Sequence, residues 1–260
     1  MGRLLSGLDL RPSRGGCGCG FAVRVRTAGG GTFMTGRLRR EVCAVIPCFN
    51  EERTIGEVVT QVRRHLDLCI VIDDCSRDKT GEMAAKAGAR LVRLETNLGK
   101  GMALRQGFAI AAASGMHAAV TLDGDGQHDP AEIPRFLDAF QQGNLDIVLG
   151  NRMRDPAGMP WVRRCTNHFA SWCVTRLAGV PIHDSQVGFR LIRLDTWQSL
   201  PLDGKRFDLE SEILIKAGRQ GARIGSVPIR SIYRGTEESK ISPIVDTLRF
   251  FRVLWQCRRA

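Results

Sequence analysis

From Glu41 onward the chain alternates two hydrophobic rhythms. Short, largely apolar runs, "VCAVIP" at 42–47, "LCIVID" at 68–73, "RLVRLE" at 90–95, "AAVTLD" at 118–123 and "LDIVLG" at 145–150, predict strands of a sheet covered on both faces. Between them lie stretches with helical spacing. In "TIGEVVTQVRRHL" the apolar residues fall at Ile55, Val58, Val59, Val62 and Leu66. "DKTGEMAAKAG" closes on Gly88, "GKGMALRQGFAIAAAS" is long, and "PAEIPRFLDAFQQG" carries proline near its start. Strand and helix in strict alternation predict an α/β fold: a mostly parallel sheet flanked by helices.

Beyond each strand the chain turns polar: "CFNEE", "DDCSRDKT", "TNLGKG", "DGDGQH" and "GNRMRD". Ligands of open α/β sheets bind beyond the carboxyl ends of the strands, so these five segments predict one site. In "DGDGQH", Asp123, Asp125 and Gln127 offer hard oxygen donors suited to Mg2+ or Mn2+, with glycines that let the backbone turn and a bulky ligand approach. The same residues would also make an ordinary turn after a strand.

Charge and composition narrow the picture. The 260 residues carry a formal +11, of which +7 lies within residues 1–40, where eight arginines face only Asp9. The folded body is therefore nearly balanced, which argues against nucleic acid as a partner. Residues 1–40 are glycine-rich, without periodicity or a signal-type apolar core, and read as a disordered extension, with Met34 as an alternative start. Nine cysteines, an odd number scattered through apolar runs, read as reduced thiols in a cytoplasmic protein rather than a disulfide or zinc framework. No run of 18 apolar residues marks a membrane span.

Taken in order, "VIPCFNEE", "VIDDCSRDKT", "NLGKGMALRQG", "LDGDGQHDP", "GNRM", "DSQVGFR", "FDLESEILIKA" and Ser239-Lys240 resemble glycosyltransferase family 2, of GT-A fold, and within it the polyprenyl-phosphate sugar synthases such as dolichyl-phosphate mannose synthase. The resemblance spans about Val42 to Leu254 and implies a metal-dependent, inverting hexosyl transfer from a GDP- or UDP-sugar to a polyprenyl phosphate. By position it gives the metal to Asp125 and Gln127. It gives the nucleotide-sugar to Pro47, Phe49, Glu51, Asp73, Asp74, Lys100, Arg105 and Asp123. Phe49 stands where the family often has tyrosine. Asp73 and Asp74 would otherwise cap the following helix, and Arg105 would otherwise be surface charge.

A phosphate acceptor is already an anion and asks for cations rather than a base; Arg152, Arg163, Arg164, Arg190 and Lys240 are placed for that by order. Asp125, Asp184 and Arg190 are the expected catalytic residues. Asp184 stands where relatives with hydroxyl acceptors carry a base, and would alternatively orient Arg190 or line the donor sugar. Arg163 and Arg164 would otherwise lie on a solvated helix face. Glu210, rather than Glu212, is expected to face the site, while His128 and His183 read as structural. Residues 41–235 form the expected catalytic domain. Residues 236–260, with Ile244, Leu248, Phe251 and Trp255 among four arginines, read as a basic amphipathic helix that attaches the enzyme peripherally to the cytoplasmic membrane face of the cell envelope, or else as a C-terminal helix that packs on the domain or in a dimer.

Overall fold

A computed structural model describes residues 38–154, 159–202, 208–230 and 232. The N-terminal extension up to residue 37, the C-terminal basic segment and Lys240 lie outside the described residues.

The elements run β1 (Val42–Cys48), α1 (Ile55–Val62), β2 (Leu68–Asp73), α2 (Thr80–Lys86), β3 (Arg90–Arg93), α3 (Lys100–Ala113), β4 (Ala118–Thr121), α4 (Ile133–Gln142), β5 (Ile147–Asn151), α5 (Trp161–Ala178), β6 (Arg190–Arg193), α6 (Leu194–Ser199), α7 (Asp208–Arg219) and β7 (Ile224–Pro228). The strands form a seven-stranded sheet in the order β3-β2-β1-β4-β6-β5-β7. β1 pairs in parallel with β2 and β4, β2 with β3, and β5 with β7. β6 alone is reversed, lying antiparallel between β4 and β5. All five expected strands form. β3 and β4 are shorter than expected, their ladders ending at Arg93 and Thr121.

Alternation in β1 divides the core in two. Val42, Ala44, Ile46 and Cys48 face a layer built by α1 and α4, through Val58, Val59, Val62, Phe136 and Phe140. Cys43 and Val45 face the opposite layer, built by α3, α5 and α7 through Leu104, Phe108, Val174, Ile213 and Leu214. Each fully buried aliphatic or aromatic side chain contributes about 1.5–3 kcal/mol, so the two layers carry the fold. Gly107 lets α3 press onto β1: a Cβ there would collide with Val45 Cγ1. Among the described residues six cysteines are free; burial pushes the thiols of Cys43 and Cys69 up to about 12.

Candidate active site

The pairing of β1 with β4 stops at Val45–Thr121, whereas that with β2 continues to Cys48–Asp73. The sheet therefore splits open at its carboxyl edge, and Pro47, which has no N–H, sits where β1 keeps only one neighbour. "DGDGQH" drops from β4 into that gap. It is held by Thr54, whose hydroxyl donates to Gly124 O at 2.6 Å, and packed so that a Cβ at Gly124 would lie 2.7 Å from Cys48 Sγ. Glu51 lies against the same turn, its Cγ 3.5 Å from that Cβ position, and its N–H donates to Thr80 Oγ1 at 2.7 Å. Phe49, beside it, is half-buried.

At the centre Lys100, the first residue of α3, bridges two carboxylates: Nζ is 2.6 Å from Asp123 Oδ1 and 3.3 Å from Glu210 Oε2. Burial opposes the ammonium charge, yet the two acids more than compensate, and the Lys100 pKa is raised. Asp123 is held ionised, down to about 2, against the cost of its burial, chiefly by Lys100. Asp125 goes the other way. Burial, then the charges of Asp123 and Glu51, push its carboxyl up to about 6, although the Gln127 N–H donates to Asp125 Oδ1 at 2.9 Å. His128 is buried against the Phe189 ring at 5.6 Å, with Nδ1 4.0 Å from Asp123 Oδ2, and burial lowers its pKa to about 4.

The two aspartates at the end of β2 divide their work. Asp74 accepts the Leu98 and Gly99 N–H groups at 2.7 and 2.8 Å, fixing the loop that opens α3. Asp73 accepts from Ser76 N at 2.9 Å through Oδ1; its Oδ2 is buried with no hydrogen-bond partner, 3.7 Å from Arg93 Nε. Of the two, only Asp73 helps cap the chain ahead of α2, where Asp78 also accepts the Thr80 N–H, while Asp74 caps a loop more than twenty positions away, which local spacing cannot reveal. Arg105 is half-buried one turn into α3.

Two arginines differ from expectation. Arg190 is 2% exposed and turned into the protein: Nε, Nη1 and Nη2 donate to the main-chain oxygens of Val187, Glu210 and Ser185 at 2.7–2.8 Å. It ties the 184–189 loop to α7 rather than presenting its guanidinium outward. Asp184, 1% exposed, does not meet Arg190 by a hydrogen bond; it takes Arg152 in a fork, Nε to Oδ2 at 2.7 Å and Nη2 to Oδ1 at 2.9 Å, and also accepts from Gln186 N. Arg163 is half-buried and Arg164 exposed on α5.

Gly188 was not anticipated. A Cβ there would overlap Asp123 Oδ2 and lie 2.9 Å from Asp123 Oδ1, so only glycine lets the "GFR" loop cover Asp123. Its only sequence signal is a glycine ahead of a buried Phe-Arg pair.

The family model of glycosyl transferase family 2 matches residues 43–199. This chain is a family 2 glycosyltransferase. The UDP-N-acetylglucosamine–dolichyl-phosphate N-acetylglucosaminyltransferase of Methanococcus voltae is 31% identical, over 73% of this chain and 84% of that protein. The undecaprenyl-phosphate mannosyltransferase of Micrococcus luteus is 30% identical, over 77% and 87%. In fold the enzyme is similar to glucosyl-3-phosphoglycerate synthase from Mycobacterium tuberculosis, solved with Mn2+, uridine diphosphate and phosphoglyceric acid. The TM-score is 0.66 at 22% identity, over 86% of this chain and 82% of that one. The two transferases support the resemblance to polyprenyl-phosphate sugar synthases, and the structure is the GT-A fold.

Among the described residues no three His, Cys, Asp or Glu side chains converge on one cation position. The donor set still fits a divalent cation that shares its shell with a ligand. Asp125 and Gln127 are hard oxygen donors, and Asp125 is an anion made costly by Asp123 and Glu51, the field a cation relieves.

Proposed function

We propose that this glycosyltransferase moves a hexose, with inversion, from a GDP- or UDP-sugar to a polyprenyl phosphate at the cytoplasmic membrane face, using Mg2+ or Mn2+ held by Asp125 and Gln127. The observation that carries the reading is the state of Asp184. Buried and clasped by Arg152, it has both oxygens committed and is poorly placed to take a proton from a hydroxyl. A phosphate monoester needs no such base, since its second pKa is about 6. The names of the two transferases favour the same acceptor class.

The roles follow from the contacts. Asp123, kept ionised by Lys100, accepts hydroxyls of the ribose or donor sugar. Asp73, buried at the end of β2, lies beneath the nucleoside, and Pro47, Phe49 and Glu51 wall its pocket. The α3 N-terminus, braced by Asp74, faces the diphosphate with Lys100 and Arg105. Arg152, oriented by Asp184, and Arg163 and Arg164 on α5 draw in the acceptor phosphate, while Arg190 holds the loop beneath. When bound, the metal supplies Lewis-acid stabilisation of the departing diphosphate.

The test offers pooled labelled GDP- and UDP-sugars, magnesium and polyprenyl phosphate to purified protein, with Asp125→Ala as control. Label entering the organic phase with wild type alone is the expected result. Aqueous product instead would favour a soluble or glycan hydroxyl acceptor, the reading to which the phosphoglycerate synthase fold lends support. There Asp184 would be the base, and Asp184→Asn would lose about 10²–10⁴-fold in rate at a temperature where it stays folded.

A further inference from the structure

Helix α5 is built inside out. Its buried face is small or polar: Asn167, Ala170, Ser171, Val174 and Ala178. Its outer face carries Trp161, Val162, Cys165, Phe169 and Trp172, within an arc of roughly 100° at 3.6 residues per turn. Trp161 is 75% exposed and Trp172 60%, the latter stacked on Phe169 at 6.2 Å between ring centroids. Helices that pack on a core show the opposite pattern.

Charge selects among the surfaces that would cover such a face. Arg176 lies within that arc and Arg164 near its edge, and α5 contains no acidic residue. A second copy laid face to face would bring like charges together. The chain's own C-terminal segment, with four arginines against Asp246 from residue 244 onward, is no better matched. An anionic bilayer complements the arginines, and Trp and Phe are the side chains that settle at its interface.

The buried face supplies continuity with the site. Ser171 Oγ accepts from Ser185 N at 2.9 Å, and Thr175 Oγ1 accepts from Ile182 N at 3.0 Å, so α5 grips the segment that carries Asp184. We propose that the outer face of α5, through Trp161, Phe169 and Trp172, docks the enzyme on an anionic phospholipid surface, while its inner face holds the segment that carries Asp184. The docking site deepens the polyprenyl-phosphate reading and rests on it. It also assigns to α5 a contact that sequence alone gave to the C-terminal segment.

The experiment is flotation of the full chain, without donor or acceptor, on vesicles of phosphatidylcholine with or without about one-third phosphatidylglycerol. Wild type is expected to float only with the anionic vesicles. Trp161→Ser/Phe169→Ser/Trp172→Ser, and separately Phe169→Asp, are expected to partition at least tenfold less while melting within a few degrees of wild type. Equal flotation of wild type and both variants would move the contact elsewhere and overturn the proposal, as would no flotation of wild type. A wild-type dimer that the triple variant makes monomeric, without lipid binding, would replace the bilayer by a second copy. Docking that is lost in the variants, with no transfer to polyprenyl phosphate, would support the surface and overturn the acceptor reading instead.

Discussion

Gly188 and Asp123 stand so close that the backbone of one closes over the carboxylate of the other. Thr121 fixes the approach, its hydroxyl donating to Gly188 O at 2.7 Å. A methyl group at position 188 must push Asp123 away from Lys100. Gly188→Ala is therefore expected to lose at least about a hundredfold in kcat/KM, or about 3 kcal/mol of transition-state stabilisation. Its thermal midpoint should fall only a few degrees, and near-wild-type kinetics would show that Asp123 can move without consequence.

Arg152 and Asp184 form a buried pair, so removing either charge leaves the other without compensation. Asp184→Asn is expected to destabilise the protein by about 3 kcal/mol in denaturant titration. The double variant Arg152→Met/Asp184→Leu should recover most of that stability and still transfer no sugar. Simple additivity of the two single substitutions would refute the coupling.

For Asp125 the prediction concerns pH. A carboxyl whose folded pKa is about 6, against about 4 when unfolded, holds its proton more tightly in the folded state. Stability is lost as pH rises between those values, and the cost persists above them. Asp125→Asn removes that cost and keeps the Oδ1 acceptor for Gln127. In chelator at pH 7.5 the variant should be more stable than wild type by about 1–2 kcal/mol, discounting for partial exposure, with about half the gap left near pH 5 and none below about pH 4. The shift of His128 is common to both proteins and cancels. Mn2+ or Mg2+ should raise the wild-type midpoint and leave the variant's unchanged.

Lys100 separates Asp123 from Glu210. Lys100→Gln leaves two carboxylates facing each other, so the Asp123 pKa should rise, the fold should weaken by about 2 kcal/mol, and nucleotide-sugar affinity measured by calorimetry should drop at least tenfold. Adding Glu210→Gln should restore part of the stability and little of the affinity.

Much of this architecture was legible beforehand because it is local. β1, β2 and β5 are continuous apolar runs, and "DGDGQH" is a compact oxygen-rich turn. β6 was not legible: "RLIR" is four residues long and runs straight into α6, and Arg190 is buried only because three carbonyls from the 184–189 loop and α7 surround it. The Arg152–Asp184 pair spans 32 positions and leaves no periodic trace. The outer face of α5 was hidden for a different reason. Helical spacing shows that a stripe exists, but not which side of the helix the sheet will take.

The reversal of β6 has a consequence for how the protein comes into being. Four parallel strands and the helices between them are complete by Thr121, but Gly188, which closes over Asp123, lies 67 positions after it and enters only with β6. During synthesis the half built on β1–β4 can form while the half that carries Gly188 and Glu210 is still unmade. Pairing so distant in the chain is slow. The acquisition of activity should therefore lag behind the burial of the first four strands, and a nascent chain halted before Gly188 would be a folded body with an unfinished site.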